Sequence, residues 1–131
     1  MAKIIAQTED RILDSAYKTF LLFGYHGTSL QHIALSAGVN KSAVHYYFRS
    51  KDRLYSKVVT KVLDLYFDST GEINTTRRGL EKSTWFLVSE LYNNRNLFEK
   101  TLKEIYSNDW NRKLSNLVNR LQSKDIRFNI L

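Results

Sequence analysis

The fold of this chain is decided by residues 33–48, "IALSAGVNKSAVHYYF". Ile33, Ala34 and Ala37 share one helical face, and Gly38 follows where a helix end favours a left-handed residue. Asn40 then offers a side-chain cap for the next helix. The spacing predicts helices over 30–37 and 41–47 with Gly38 in the turn between them. Ala34 is small at the point where the two would cross, and a larger side chain there would push them apart. Val44 returns from the second helix to the shared core, and Ile33, Ala37, Val39 and Tyr47 complete it. Ala34, Gly38 and Val44 are therefore read as the structural residues of a helix-turn-helix. A generic helical hairpin is the plainer alternative. The number of matched positions, and the charge gathered around them, weigh against it.

The same periodicity extends in both directions. Thr8 is a good N-cap with Glu9 and Asp10 in the first turn, so a helix is expected from Thr8 to the "GYHG" at 24–27. Its apolar set is Ile12, Leu13, Ala16, Tyr17, Phe20 and Phe23. Thr28 and Ser29 offer caps for the second helix. Ser50 offers one for a longer fourth helix, which carries Leu54, Val58, Val62 and Leu65 on one side and Tyr55, Val59 and Tyr66 beside them. Two apolar stripes on one helix suggest that it touches two cores. The polar stretch "DSTGEINTT" (68–76) is the best internal boundary. Beyond it, helices are expected around 77–93, 96–106 and 109–122, with Leu80, Leu87, Leu91, Leu97, Leu102, Ile105, Trp110, Leu114, Leu117 and Leu121 as apolar positions. The reading is all-α, a three-helix helix-turn-helix unit joined by a long fourth helix to a short C-terminal bundle. The domains are expected over 1–50 and 51–131.

Composition bounds what such a chain can do. Its 131 residues suffice for one compact domain or two small subdomains. The absence of cysteine excludes disulfides and thiolate metal sites and fits a reducing, cytoplasmic setting. No apolar run approaches the roughly 20 residues of a membrane helix, and "MAKIIAQTED" has too short an apolar stretch for a signal peptide. The net charge of +7 favours an anionic partner. Its distribution is more informative. Residues 24–57 hold Lys41, Arg49, Lys51, Arg53 and Lys57 against Asp52 alone, while residues 1–23 balance three bases with three acids. The excess coincides with the helix-turn-helix.

Residues 24–59, "GYHGTSLQHIALSAGVNKSAVHYYFRSKDRLYSKVV", resemble the DNA-binding domain of the TetR family of bacterial transcriptional regulators. The matching features are the helix ending in "FGY", the "TS" before the second helix, "IA" and "AGV", the hydroxyl-bearing start of the third helix, "YYF" and "SKD.L". The likeness takes in residues 8–59. The second half is similar only in its helical layout, with "NNRNLFEKTLKEI" resembling the junction of the family's fifth and sixth helices. The resemblance implies that the third helix enters the major groove of a DNA operator, with Lys41, Ser42, Ala43, His45, Tyr46 and Tyr47 as recognition positions and Gln31 contributing from the second helix. Elementary chemistry agrees. Lys41 and Ser42 open the third helix, where side chains reach base edges, and lysine favours guanine O6 and N7. Ala43 is small enough to lie against a thymine methyl. His45, Tyr46 and Tyr47 can donate to phosphates, which set register rather than sequence. His45 departs from the tyrosine usual in the family. Lys51 opens the fourth helix and is read as a phosphate anchor.

No nucleophile with its base, carboxylate pair or phosphate loop is present, so catalysis is not expected. His26, His32 and His45 do not pair at metal spacing, and neither a metal nor a cofactor is expected. In the family a second domain binds a small effector and its last two helices dimerise. Tyr66, Trp85, Tyr92, Phe98 and Tyr106 are the aromatics that would line such a pocket, although aromatics at helical spacing also serve as core. The expected partners are a double-stranded DNA operator, a second copy of the chain and a small-molecule effector, with no membrane. The chain ends after the expected seventh helix and so is short for the family, which leaves open truncation, a different dimer or a reduced regulatory domain. A small-molecule-binding module with a vestigial helix-turn-helix, and an architectural DNA binder without an effector, are the alternative readings.

Overall fold

A computed structural model describes residues 2–67 and 80–122, with side chains from residue 6 onward except that of Leu80. Seven α-helices lie among them: α1 (Ala2–Phe23), α2 (Leu30–Ala37), α3 (Lys41–Phe48), α4 (Lys51–Tyr66), α5 (Leu80–Asn93), α6 (Arg95–Tyr106) and α7 (Trp110–Leu121). The all-α reading therefore holds for the described residues. The expected boundary at 68–76 lies outside them. Two compact units form, Met1–Val59 and Thr60–Leu131, so α4 gives its first half to one unit and its second half to the other.

In the N-terminal unit, α1 starts well before Thr8. The preceding "AKIIAQ" holds no helix breaker, so the helix extends through it and Thr8 is an interior residue instead of a cap. Ile12, Ala16 and Phe20 of α1 are fully buried with Ile33, Ala34 and Val44, as the apolar spacing requires. Leu54, Tyr55, Val58 and Val59 of α4 add to the same unit. Aromatic packing ties the helix ends together, since Phe20 meets Tyr55 edge-on at 5.4 Å.

Hydrogen bonds from α1 side chains fix α2. The Ser15 hydroxyl donates to the Ile33 carbonyl at 2.9 Å, and Arg11 Nη2 donates to the Ala37 carbonyl at 2.6 Å. These donors stand one helical turn apart on α1 and meet carbonyls one turn apart on α2, so they act as a two-point clamp. The second bond satisfies a carbonyl at the end of α2 that lacks an intrahelical partner.

In the C-terminal unit, α5 packs on α6 and α6 on α7. Phe86, Leu87, Leu91, Phe98, Leu102, Leu117 and Leu121 are its most buried apolar residues on these helices. On α4, Val62, Leu63 and Tyr66 are buried while Leu65, expected on the stripe with Leu54, Val58 and Val62, is half-exposed. Asn94 separates α5 from α6, at the junction that the resemblance had placed in "NNRNL". Among the described residues no helix is long and apolar enough to cross a membrane.

Candidate nucleic-acid interface

The helix-turn-helix is built by side-chain caps and one left-handed residue. Ser29 caps α2, its hydroxyl oxygen accepting from the His32 N–H at 3.0 Å. Gly38 has φ 71° and ψ 32°. Its N–H donates to the Leu35 carbonyl and that of Val39 to the Ala34 carbonyl, a paired closure that needs a left-handed residue at this point. Asn40 caps α3 through Oδ1, which accepts from the Ala43 N–H at 2.9 Å and from the Ser42 hydroxyl at 2.8 Å. Ser50 caps α4, accepting from the Arg53 N–H at 3.1 Å. Each cap stands where hydrogen-bonding residue type and spacing had predicted it.

These caps orient α3 so that Val44 and Phe48 are buried while Lys41, Ser42, His45 and Tyr46 face solvent. Tyr46 is 67% exposed. Ala43 and Tyr47 are half-buried at the edge of this face, and the Tyr46 and Tyr47 rings meet edge-on at 5.1 Å. Gln31 is exposed on α2. Two of the expected donors are already engaged. The Ser42 hydroxyl donates to Asn40, leaving its oxygen lone pairs as acceptors. His45 Nδ1 lies 3.3 Å from the Arg49 carbonyl, a contact that engages this nitrogen when it carries a proton.

Lys51 opens α4 in an arrangement that the sequence did not reveal. Its ammonium lies 3.9 Å from the centre of the Tyr25 ring. The same tyrosine donates its hydroxyl to Asp52 Oδ1 at 2.5 Å. Burial first, and then the accepting Asp52 carboxylate, push the Tyr25 phenol up to about 12 from its ordinary 10.0. The unfolded chain therefore loses this proton at lower pH than the folded one. Tyr25 should contribute stability that is fully present below pH 10 and declines as pH rises from 10 towards 12. Denaturant midpoints across that range should fall more steeply for the parent than for Tyr25→Phe; parallel curves would refute the assignment.

The connection from α3 to α4 is also unexpected. Arg49 has φ 72° and ψ −46°, and Ser50 N–H donates to the Phe48 carbonyl at 2.8 Å. This is a γ-turn of the rare, strained kind with a non-glycine residue at its centre. Such strain costs about 1–3 kcal/mol, and glycine would relieve it while adding about 0.5–1 kcal/mol of unfolded-chain freedom. Arg49→Gly is expected to raise the unfolding free energy by about 1 kcal/mol, readable as a higher urea midpoint at unchanged slope. A lower midpoint would mean that the turn is not strained.

The model of the bacterial regulatory proteins of the tetR family matches residues 12–58, which run from α1 just after Arg11 through the turn and α3 into α4. Residues 12–58 are a tetR-family segment. The HTH-type transcriptional regulator RutR of Escherichia coli (strain K12) is 42% identical over 65 residues, which cover 50% of this chain and 31% of RutR. The probable HTH-type transcriptional regulator YttP of Bacillus subtilis (strain 168) is 31% identical over 104 residues, covering 75% of this chain and 50% of YttP. IcaR of Staphylococcus epidermidis, the biofilm operon icaADBC HTH-type negative transcriptional regulator, is 32% identical over 60 residues, covering 46% of this chain and 32% of IcaR. The chain spans half or less of the length of these curated relatives.

Outside the matched segment, the aromatic residues expected around an effector lie in different surroundings. Tyr66 and Phe98 are fully buried, Tyr106 is half-buried, and Trp85 and Tyr92 are 59% and 54% exposed. Burial raises the Tyr66 and Tyr106 phenols above their ordinary value, with the Asp64 carboxylate adding to the shift at Tyr106. Glu90 is buried and accepts from Asn94 Nδ2 at 3.2 Å. On α7, Leu114, Leu117 and Leu121 are buried, whereas Trp110 and Val118 are half-exposed. The three leucines complete the chain's own core.

The residues that sequence reasoning missed are Arg11, Ser15 and Tyr25. Ser15 left a usable signal, a hydroxyl amid the apolar spacing of Ile12, Ala16 and Phe20. Arg11 and Tyr25 left none, because their partners are distant in the chain.

Proposed function

We propose that this chain is a sequence-specific DNA-binding transcriptional regulator that acts as a repressor on a palindromic operator. The observation that carries the reading is the division of α3 into a buried face, Val44 and Phe48, and an open one, Lys41, Ser42, His45 and Tyr46. The open face is largely free of core packing, and it belongs to the region where the chain concentrates its positive charge. Gln31, Ala43 and Tyr47 border the groove-reading set, while Lys51 anchors the backbone. IcaR, a negative regulator, supports repression, in which bound protein occludes a promoter. A single recognition helix offers too few base contacts for specific affinity, each being worth ~1–3 kcal/mol. We therefore take the bound form to be a dimer with its half-sites about one helical turn, or a multiple of it, apart. A small-molecule effector enters the proposal only through the resemblance to the tetR family.

Selection of bound fragments from a genomic library tests the proposal. It should yield an inverted-repeat consensus bound by two chains per duplex. Unselective retention would indicate an architectural protein, no retention a ligand-binding module, and tight binding of one chain to one isolated half-site would overturn the dimer.

A further inference from the structure

We propose that Tyr25 is a positioning residue for DNA-backbone contact, its ring seating the Lys51 ammonium and its hydroxyl occupying the Asp52 carboxylate. The inference rests on the reading of Lys51 as a phosphate anchor and assigns the residue that prepares it.

Three observations meet at this side chain. The Lys51 ammonium lies 3.9 Å from the ring centroid, close enough for the ring face to attract it. A lysine otherwise has a long, mobile stem, so a seat of this kind reduces the freedom that a phosphate would have to remove on binding. Asp52, the one acid among residues 24–57, stands next to Lys51 in the first turn of α4. There it favours the helix dipole but would repel a phosphate approaching the same end. The Tyr25 hydroxyl donates to one oxygen of that carboxylate at 2.5 Å. A donor at this distance draws the carboxylate's charge towards the protein side of the cluster.

The third observation is that Tyr25 is itself held in place. Its ring packs edge-on against Tyr55 at 5.1 Å and stacks on Phe20 at 6.4 Å, and both of those rings are fully buried. The loop after α1 thus presents a fixed ring to the N-terminus of α4. Its orientation is set by the core, and its exposed edge serves the two charged neighbours.

The test is a double-mutant cycle on a scrambled duplex, where base reading plays no part. Tyr25→Leu should weaken binding about five-fold per bound chain in the parent, and Tyr25→Phe, which keeps the ring, should weaken it less. In a Lys51→Ala background the leucine variant should lose much less than in the parent, keeping only the part due to the released Asp52 carboxylate. An equal loss in both backgrounds would show that Tyr25 acts through the fold and would overturn the seat. If Lys51→Ala changed affinity for no duplex, the phosphate reading of Lys51 would fail and the seat with it. A measurement on the unmutated protein covers the case in which the leucine variant does not fold. The Lys51 ε-methylene protons should resonate upfield of random-coil values because they adjoin an ammonium seated over the ring, and random-coil shifts would overturn the proposal.

Discussion

Replacing Gly38 with valine is expected to destabilise the N-terminal unit by about 2–4 kcal/mol and to abolish DNA binding at the same time. Two costs combine. A β-branched residue at φ 71° is strained wherever it has room. Here it lacks room, because a Cβ on Gly38 would stand 2.9 Å from Arg11 Nη2, the atom that donates to the Ala37 carbonyl. The guanidinium can swing aside, but only by giving up that charged hydrogen bond, so one half of the clamp between α1 and α2 is lost. Against a total stability of about 5–15 kcal/mol, the sum is large. Denaturant unfolding of the parent, Gly38→Val, Arg11→Ala and the double variant would separate the two costs. The double variant should lose less than the sum, since with Arg11 gone only the backbone strain remains. Ala34→Leu, at a site that is 1% exposed, should cost roughly 1–3 kcal/mol by overpacking. A variant of either residue that melted like the parent would contradict the placement of the turn.

Lys51→Ala and Lys41→Ala are expected to damage DNA binding in different ways. Lys51 stands in the first turn of α4, where a cation opposes the helix dipole by ~0.3–1 kcal/mol. The Tyr25 ring offsets part of that cost in the free protein, and a bound phosphate would offset the rest. Removing Lys51 should therefore weaken operator and random duplexes alike and flatten the salt slope by about 0.9 for each bound chain. Lys41 lies on the open face of α3 beside the Asn40 cap. Its removal should lower discrimination at one or two base pairs by ~1–3 kcal/mol and change random-duplex affinity much less. Isotherms for both variants at several salt concentrations, on operator and scrambled duplexes, would decide the matter. Equal fractional losses on every sequence would remove Lys41 from the groove.

The parts of this fold that were readable in the sequence are those governed by neighbours in the chain. Ser29, Asn40 and Ser50 each satisfy an N–H three residues on, and Gly38 answers a purely local demand for positive φ. Hence α2 and α3 could be bounded to within a residue. The start of α1 was misread at Thr8 because a capping residue is also tolerated inside a helix whose preceding residues favour continuing it. Arg49 escaped notice for the opposite reason. Nothing in "FRSK" encodes a positive φ, and the turn lies between two buried residues, Phe48 before it and Leu54 after it. Tyr25 was legible as part of a loop but not as the partner of Lys51 and Asp52, a contact across 27 residues of chain in the case of Asp52.

The two faces of α3 also bear on how such a protein can change. Ile33, Ala34, Ala37, Val44 and Phe48 carry the packing, whereas Lys41, Ser42, His45 and Tyr46 carry almost none of it. Substitutions at those four outward positions draw on almost none of the stability reserve, so the sites at which binding preference can diverge are those least restrained by folding. A duplicated copy could acquire a different target by altering a few exposed side chains in a single helical turn or two, while the clamp, the caps and the glycine stay as they are. A randomised library at these positions should return mostly folded proteins with scattered sequence preferences.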